Sequence, residues 1–291
     1  MLFSIFKSYN ERGDSMKYSP KEMHTLLETN AFSFKKKFGQ NFIIDENIID
    51  SILKNIELTP DAMVIEIGPG AGSLTYKLSK YAKKVLCYEI DTSLKSILEE
   101  NLCTCSNVDI VYDDFLKRDI QKDLKNYSFN KLYVVANLPY YITTPILVKF
   151  IEEQVPAEKM VFMVQKEVGD RFKAKPKTKD YGSLTVYLNY YFDVRKVIQV
   201  SKNVFLPKPN VDSIVIEFKR KEKLLFLKNE DLFFKLVRDS FSQKRKTIKN
   251  NLKGYDLEKI EKVLQTNAFS LTSRAEELSL EIFVEIANAL S

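Results

Sequence analysis

The chain of 291 residues carries 45 basic and 39 acidic side chains, a net charge of +6, and 45% of its residues are apolar. This composition supports a packed core and excludes wholesale disorder. No apolar run approaches the roughly 20 residues that a membrane-spanning helix needs, and the length indicates about two domains.

Cysteine and histidine are scarce, with three cysteines and the single histidine His24. Cys103 and Cys105 have no second cysteine pair, so we expect neither a disulfide framework nor a bound metal. One imidazole also argues against Ser-His and Cys-His nucleophilic chemistry. The apolar start, residues 1–6, lacks the features of a signal peptide, and a cytoplasmic location is expected.

The first predicted helix follows a capping box formed by Ser19, Pro20 and Glu22. From Met63 onward, short apolar runs alternate with amphipathic helical stretches such as Thr92–Asn101 and Thr144–Glu153. The predicted strands are Met63–Ile67, Lys84–Glu89, Val108–Tyr112, Leu132–Asn137 and Met160–Gln165. Strands that alternate with helices in this way predict an α/β protein with a parallel, doubly wound sheet.

After Gly182 the apolar period falls to two. This pattern predicts strands at Leu184–Tyr191, Arg195–Val200 and Val211–Phe218, and hence an antiparallel edge on a mostly parallel sheet. Beyond Lys219 the pattern is helical throughout. The predicted helices there are Glu230–Phe241, Lys244–Leu252, Leu257–Gln265 and Leu280–Leu290. A small all-helical C-terminal domain is therefore expected.

A glycine-rich loop, Glu66-Ile-Gly68-Pro-Gly70-Ala-Gly72, follows the first strand of the alternating region. Its glycines let the backbone approach a ligand at the carboxyl edge of the sheet. The spacing departs from the dinucleotide fingerprint, which disfavours NAD without excluding it. Glu89, at the end of the next strand, is placed to accept hydrogen bonds from ribose hydroxyls. Together the loop and Glu89 indicate a cofactor that contains adenosine.

Two further strand ends carry polar side chains. Asp113 and Asp114 follow the third strand, where a carboxylate can bind an adenine amine or simply cap the next helix. Asn137-Leu138-Pro139-Tyr140 ends the fourth strand. The amide oxygen of Asn137 and the carbonyl of Leu138 can both accept from an exocyclic NH2, while Tyr140 stacks on the ring; a plain loop broken by proline is the structural alternative.

This pair of acceptors suits methyl transfer from S-adenosylmethionine. Two acceptors on one amine localise its lone pair for attack on the activated methyl group, so the protein mainly supplies alignment and complementary polarity. The N-methylammonium product is acidic and needs no dedicated base. The scarcity of histidine agrees with such a reaction.

From about Lys35 to the C-terminus, the chain resembles the S-adenosylmethionine-dependent rRNA adenine N6,N6-dimethyltransferase family, and most of all its KsgA-type small-subunit (16S) branch. Besides the loops above, the resemblance rests on the motifs Phe38-Gly-Gln-Asn-Phe42, Glu89-Ile-Asp91, Gln165-Lys-Glu-Val168, Tyr181-Gly-Ser-Leu184, Phe205-Leu-Pro-Lys-Pro-Asn-Val-Asp-Ser213, Phe241-Ser-Gln-Lys-Arg-Lys-Thr247 and Arg274-Ala-Glu-Glu-Leu-Ser279. It implies a class I, Rossmann-like methyltransferase fold. The expected parts are an N-terminal extension (1–34), the methyltransferase domain (35–218) and a helical rRNA-binding domain (219–291).

The resemblance also implies roles for particular residues. The cofactor-binding set that it implies is Asn41, the backbone of Ile43, Gly68, Glu89, Asp114 and Asn137. The catalytic set that it implies is Asn137, Leu138, Pro139, Tyr140 and Phe205. In these sets Gly68 lies against the methionine portion, Glu89 holds the ribose, Asp114 takes the adenine amine and Phe205 closes over the target base. Asp113 has no assigned role.

The implied substrate is a pair of adjacent adenosines in the 3′-terminal hairpin loop of small-subunit rRNA, each methylated twice in the immature 30S subunit. Lys244, Arg245 and Lys246 are expected to grip the RNA. Two alternatives stay open. One is a 23S rRNA adenine methyltransferase of the macrolide-resistance type, and the other is an rRNA-binding assembly factor without turnover. Neither a membrane nor a second copy of the chain is expected as a partner.

Overall fold

The computed structural model describes residues 20–30, 32–35, 38–139 and 142–291. The strands within these residues are β1 (Phe42–Ile43), β2 (Ala62–Ile67), β3 (Lys84–Tyr88), β4 (Val108–Val111), β5 (Lys131–Asn137), β6 (Ala157–Gln165), β7 (Phe192–Val200), β8 (Phe205–Leu206) and β9 (Ser213–Arg220). The helices are α1 (Pro20–Thr29), α2 (Glu46–Ile56), α3 (Ser73–Ser79), α4 (Lys95–Asn101), α5 (Ile120–Leu124), α6 (Thr143–Glu152), α7 (Lys166–Phe172), α8 (Ser183–Tyr191), α9 (Glu230–Ser240), α10 (Ile248–Asn251), α11 (Leu257–Thr266) and α12 (Leu280–Leu290).

Seven strands form one sheet in the order β4-β3-β2-β5-β6-β9-β7. Strands β2, β3, β4, β5 and β6 pair with one another in parallel. Strand β9 runs antiparallel to both β6 and β7. The predicted α/β class and its antiparallel component are confirmed. The strand order reverses between β2 and β5, and in open α/β sheets ligands bind at such a point, beyond the carboxyl ends of the strands.

The continuous apolar runs of the sequence follow from burial on both faces of the sheet. All six residues of β2 are buried. Ile65 belongs to an apolar cluster on one face, with Phe150 of α6, whereas Val64 belongs to a cluster on the other face, with Ile52 of α2. A strand covered on both sides has no polar face, so alternation is lost.

One predicted strand is wrong, because Leu184–Tyr191 lies in helix α8. The apolar residues of α8 serve two cores. Leu188 packs into the cluster beneath the sheet, while Val186 and Tyr190, one helical turn apart, pack into the core of the C-terminal domain. Burial on two sides gives this helix the spacing of a strand.

The C-terminal region is helical as predicted, with α9, α11 and α12 around a core that includes Phe233, Ile260 and Phe283. Strand β9 ends at Arg220, two residues beyond the end expected for the first domain. The predicted helix Lys244–Leu252 is wrong in its first half, since only α10 is helical and residues 244–246 lie in a turn.

Residues 32–35 and 38–44 form a segment, here called the arm, that lies across the carboxyl edge of the sheet. Strand β1 of the arm pairs antiparallel with β8, joining Ile43 to Phe205. Phe42 packs in an apolar cluster with Leu94 and Leu98. Helix α1 begins at Pro20, and Ser19, its predicted cap, lies outside the described residues. Within the described part of the chain, no helix is long and apolar enough to cross a bilayer.

Candidate active site

A cavity of about 260 Å³ opens at the carboxyl ends of β2, β3 and β5, beneath the arm. Almost every residue that the sequence singled out and the structure describes lines it, although these residues lie far apart in the chain. Those residues are Asn41, Gly68, Glu89, Asp114, Asn137, Leu138, Pro139 and Phe205. Tyr140 lies outside the described residues. The topology therefore gathers separate strand ends into one site.

Glu89 is the buried acid of the cavity. It directly follows β3 and is 4% exposed. Its Oε1 accepts from the backbone N–H of Asp91 at 2.8 Å, and its Oε2 accepts from Gly70 N–H at 3.3 Å. Burial raises the pKa of Glu89 to about 7, although these backbone donors favour ionisation. The carboxylate retains lone pairs that hydroxyl donors of a ligand can satisfy.

The glycine loop passes directly beneath the arm. Gly70 has a φ of +60°, in the left-handed region that side chains disfavour. A Cβ at this position would lie 2.9 Å from two carbons of the Phe42 ring. Both the backbone conformation and the close approach of the arm therefore require glycine here. The loop and the arm form the two walls of a narrow cleft.

The two carboxylates after β4 have different partners. Asp114 caps the next turn, with its Oδ1 accepting from Leu116 N–H at 3.0 Å. Asp113 instead accepts from Arg118 at 3.3 Å, and Arg118 also pairs with Asp123. Asp113 thus has a structural partner. The Oδ2 of Asp114 lies 3.8 Å from Nζ of the exposed Lys117, beyond hydrogen-bond distance, and can still accept from a ligand in the cavity. Asp114 can therefore cap the next turn through one oxygen and accept from an adenine amine through the other.

Asn137, the last residue of β5, is held in one orientation. Its Nδ2 donates to the backbone carbonyl of Asn41 in the arm at 2.7 Å. This bond uses the donor end of the amide and leaves Oδ1 as an acceptor. Leu138 N–H donates to Met163 O at 3.2 Å, and the Pro139 carbonyl accepts from Ile142 N–H at 3.2 Å. Among the described residues, no hydrogen bond engages the Leu138 carbonyl.

Phe205 and Ile43 flank this loop. Phe205 is 4% exposed and lines the cavity from β8. Ile43 lines a smaller recess beside the cavity, together with Pro69 and Asn137, and its side chain is buried in the core. The site thus joins a carboxylate-rich end near Glu89 to an apolar end near Phe205.

The charge of the cavity discriminates between ligands. Of the described residues that line it, three are carboxylates and none is lysine or arginine. The lining thus supplies acceptors and no cationic side chain, and the spacing of the loop also departs from the dinucleotide fingerprint. A sulfonium cation, ribose hydroxyls and an adenine amine all suit carboxylate and amide acceptors. The residues present therefore fit S-adenosylmethionine.

Sequence reasoning assigned no role to several residues that build the site. The buried carboxylate of Asp91, three residues after β3, binds the arm residues Lys35 and Gln40, and Lys35 lies 56 residues away in the chain. Ser213, at the start of β9, lines the cavity near Phe205. No spacing rule joins residues so far apart, and the only sequence signal was their presence inside longer motifs.

Comparisons with known proteins point to one family. The family profile for ribosomal RNA adenine dimethylase matches residues 31–291. Ribosomal RNA small subunit methyltransferase A of Bacillus cereus (strain B4264) is 45% identical over 282 residues, which cover 94% of this chain and 96% of that protein.

Solved structures agree with these matches. A dimethyladenosine transferase from Plasmodium falciparum is 27% identical with a TM-score of 0.68, covering 83% of this chain and 94% of that one. The 23S rRNA methyltransferase ErmE is 27% identical with a TM-score of 0.67, covering 86% and 99%. The chain is thus similar to methyltransferases of both ribosomal subunits, with the higher identity to a small-subunit enzyme.

Proposed function

Because the chain belongs to the ribosomal RNA adenine dimethylase family, we propose that it dimethylates N6 of two adjacent adenosines in the 3′-terminal hairpin loop of small-subunit (16S) rRNA, with S-adenosylmethionine as the donor. Its substrate is rRNA, and its site combines an acidic cofactor cleft with an amide and a carbonyl acceptor at the end of β5. The 45% identity to a small-subunit enzyme favours the 16S target over the 23S target.

The orientation of Asn137 is the observation that carries this proposal. The arm fixes its Nδ2, so Oδ1 and the neighbouring Leu138 carbonyl are left to accept the two hydrogens of one exocyclic amine. Acceptors placed before the reaction need no reorganisation when positive charge develops on the amine nitrogen. An adenine N6 amine offers two donors and matches this pair.

The cofactor, when bound, supplies an activated methyl group. The chain's own residues then bind and align the reactants: Glu89 accepts from ribose hydroxyls, Asp114 accepts from the adenine amine, and Asn137 faces the target amine. Phe205 would cover the target base, and Tyr140 would stack on it. Alignment of this kind lowers the barrier because the two reactants meet already oriented.

The RNA would contact both domains. A loop adenosine is reachable without opening a duplex, which lowers the cost of placing it in the cavity. The helical part that follows β9 would grip the rRNA through the exposed turn of Lys244, Arg245 and Lys246. We place the reaction on the immature 30S subunit in the cytoplasm, with a single copy of the chain.

The test is methyl transfer from radiolabelled S-adenosylmethionine to three substrates from a strain that lacks the modification. These are small subunits, naked 16S rRNA and 23S rRNA, with the products digested to nucleosides. We expect dimethyladenosine mainly on small subunits. Label on 23S rRNA would assign the chain to the resistance type, and cofactor binding with no label on any RNA would favour a binding factor without turnover.

A further inference from the structure

Asp91 is a buried carboxylate with no place in the chemistry described so far. Its side chain is 1% exposed, yet it holds four polar contacts. Lys35 Nζ donates to its Oδ1 at 2.6 Å and Gln40 Nε2 donates to its Oδ2 at 2.7 Å. The hydroxyl and backbone N–H of Ser93 donate to Oδ1 at 2.7 and 3.1 Å. Two of these donors come from the arm and two from the adjoining turn.

The charges explain why this contact is strong. Burial alone disfavours the ionised form of Asp91, and the donated hydrogen bonds from Lys35, Ser93 and Gln40 outweigh it, so that the pKa of Asp91 is lowered. A buried carboxylate that keeps its charge needs partners, since an unpaired buried charge is costly. Lys35 and Gln40 provide these partners. The backbone N–H of Lys35 also donates to Gln40 Oε1 at 2.9 Å.

The segment held in this way contacts the strand that carries Phe205 and the side chain of Asn137. Three residues beyond Gln40, the arm pairs with Phe205 through Ile43, and Ile44 N–H donates to Val204 O at 2.9 Å. Between these two anchors, the Asn41 carbonyl accepts from Asn137. The arm is thus fixed at one end by Asp91 and at the other by β8, and the contact that orients Asn137 lies between them.

We propose that Asp91 is a positioning residue that holds the arm over the cofactor cavity through Lys35 and Gln40, and thereby orients Asn137 toward the target amine. This inference rests on the proposed function for its activity readout. It adds a role that cofactor contacts do not supply, because the carboxylate of Asp91 contacts the arm and the turn of Ser93, and only its backbone N–H reaches the cavity acid Glu89. Asp91 therefore binds a segment of its own chain, the arm.

The experiment uses the full chain and S-adenosylhomocysteine as the probe. Asp91→Asn keeps the shape and the turn cap but weakens the pairing with Lys35. We expect S-adenosylhomocysteine affinity to fall about tenfold, which corresponds to about 1.4 kcal/mol, and amide exchange across residues 38–44 to accelerate. The methylation rate at saturating cofactor should fall as well, since Asn137 loses its fixed partner. Lys35→Met, at a residue outside the cavity lining, should give the same pattern, and it tests the proposal if Asp91→Asn does not fold.

The matched control is Asp109→Asn, which removes a 2.7 Å ion pair with Lys84 outside the cavity. It should leave affinity, arm exchange and rate unchanged. Lys35→Arg keeps the charge and should retain most of the affinity, whereas Lys35→Met combined with Asp91→Asn should be no worse than either alone. Additive losses, or wild-type arm exchange in Asp91→Asn, would overturn the positioning role. Failure of the wild-type chain to bind the probe at all would instead overturn the proposed function.

Discussion

At the scale of single residues, Asn137 carries the sharpest prediction. Asn137→Ala removes an acceptor that the arm holds in place, and loss of one such preorganised group costs about 100-fold or more in rate. We expect the methylation rate to fall by about that factor while S-adenosylhomocysteine affinity changes by less than about tenfold, because Glu89 and Asp114 remain. Single-turnover assays with small subunits and calorimetry measure the two quantities.

The control for this prediction is Asn130→Ala. Asn130 is exposed and donates to Asp61 at 2.9 Å, away from the cavity. This variant should behave as the wild type. Near-wild-type turnover in Asn137→Ala would remove Asn137 from the role of acceptor.

Glu89 gives a prediction for pH. Its pKa is raised to about 7 by burial, so the carboxylate that accepts ribose hydroxyls is mostly ionised at pH 8 and mostly neutral at pH 6. Binding favours the ionised form, and affinity should therefore fall as the pH drops through 7, by about tenfold between pH 8 and pH 6. Methylthioadenosine is the appropriate probe, since it has no amino-acid group that titrates in this range.

Glu66 provides the comparison, because burial also raises its pKa to about 7 while it faces a smaller recess beside the main cavity. Glu66→Gln should keep the pH dependence, and Glu89→Gln should abolish it together with most of the affinity. If the affinity of Glu89→Gln still falls between pH 8 and pH 6, the titrating group is a different residue.

Sequence patterns found the strand-end residues but not how they are held. Glu89, Asp114 and Asn137 are visible because each follows an apolar run, and parallel strands bring their carboxyl ends to one edge. The orientation of Asn137 depends on the Asn41 carbonyl, 96 residues away. The particular roles came from family resemblance, since strand ends alone do not distinguish a helix cap from a ligand contact.

At the scale of elements, helix α7 and strand β9 meet without space between them. A Cβ on Gly169 would lie 2.4 Å from Cδ1 and 2.6 Å from Cγ1 of Ile214. In the middle of a helix, alanine is more favourable than glycine by about 0.5–1 kcal/mol. Overpacking in a dense core costs about 1–3 kcal/mol, and we expect this term to win. Gly169→Ala should lower the free energy of unfolding in urea titrations.

Gly254→Ala is the counterpart, since a Cβ there meets nothing within 4 Å. Its free energy of unfolding should stay within about 0.5 kcal/mol of the wild type. Equal stability of the two variants would mean that α7 shifts freely against β9.

Elements were predictable where the spacing of their apolar residues matched their secondary structure. Strands β2 to β6 came directly from their apolar runs, because helices cover both sheet faces. Helix α8 did not, because Leu188 and Val186 pack into different cores and imitate a period of two. The turn of residues 244–246 was also missed, since basic residues at helical spacing do not show that the backbone leaves the helix after Ser240.

At the scale of the whole molecule, two basic segments that are distant in the chain lie in contact. Lys244 Nζ donates to the carbonyl of Lys179 at 2.6 Å, and Lys177 N–H donates to Glu276 O at 2.7 Å. These contacts join the lysine-rich stretch of residues 173–179, next to α7, to the basic turn of residues 244–246 in the helical domain. A polyanion that binds here would contact both domains at once.

This arrangement predicts a salt dependence. Each phosphate that a lysine or arginine neutralises releases counterions, and the logarithm of the affinity then falls with the logarithm of the salt concentration by about 0.7–0.9 per contact. Replacement of Lys244, Arg245 and Lys246 by alanine should make this slope shallower by about 2 and weaken 16S rRNA binding at low salt. The control replaces Lys253, Lys259 and Lys262, three exposed lysines of the same domain, by alanine for the same change in net charge. If the salt slope becomes equally shallow in both triple variants, RNA binding depends only on net charge. An effect confined to the first variant would place the RNA on the face that joins the two domains.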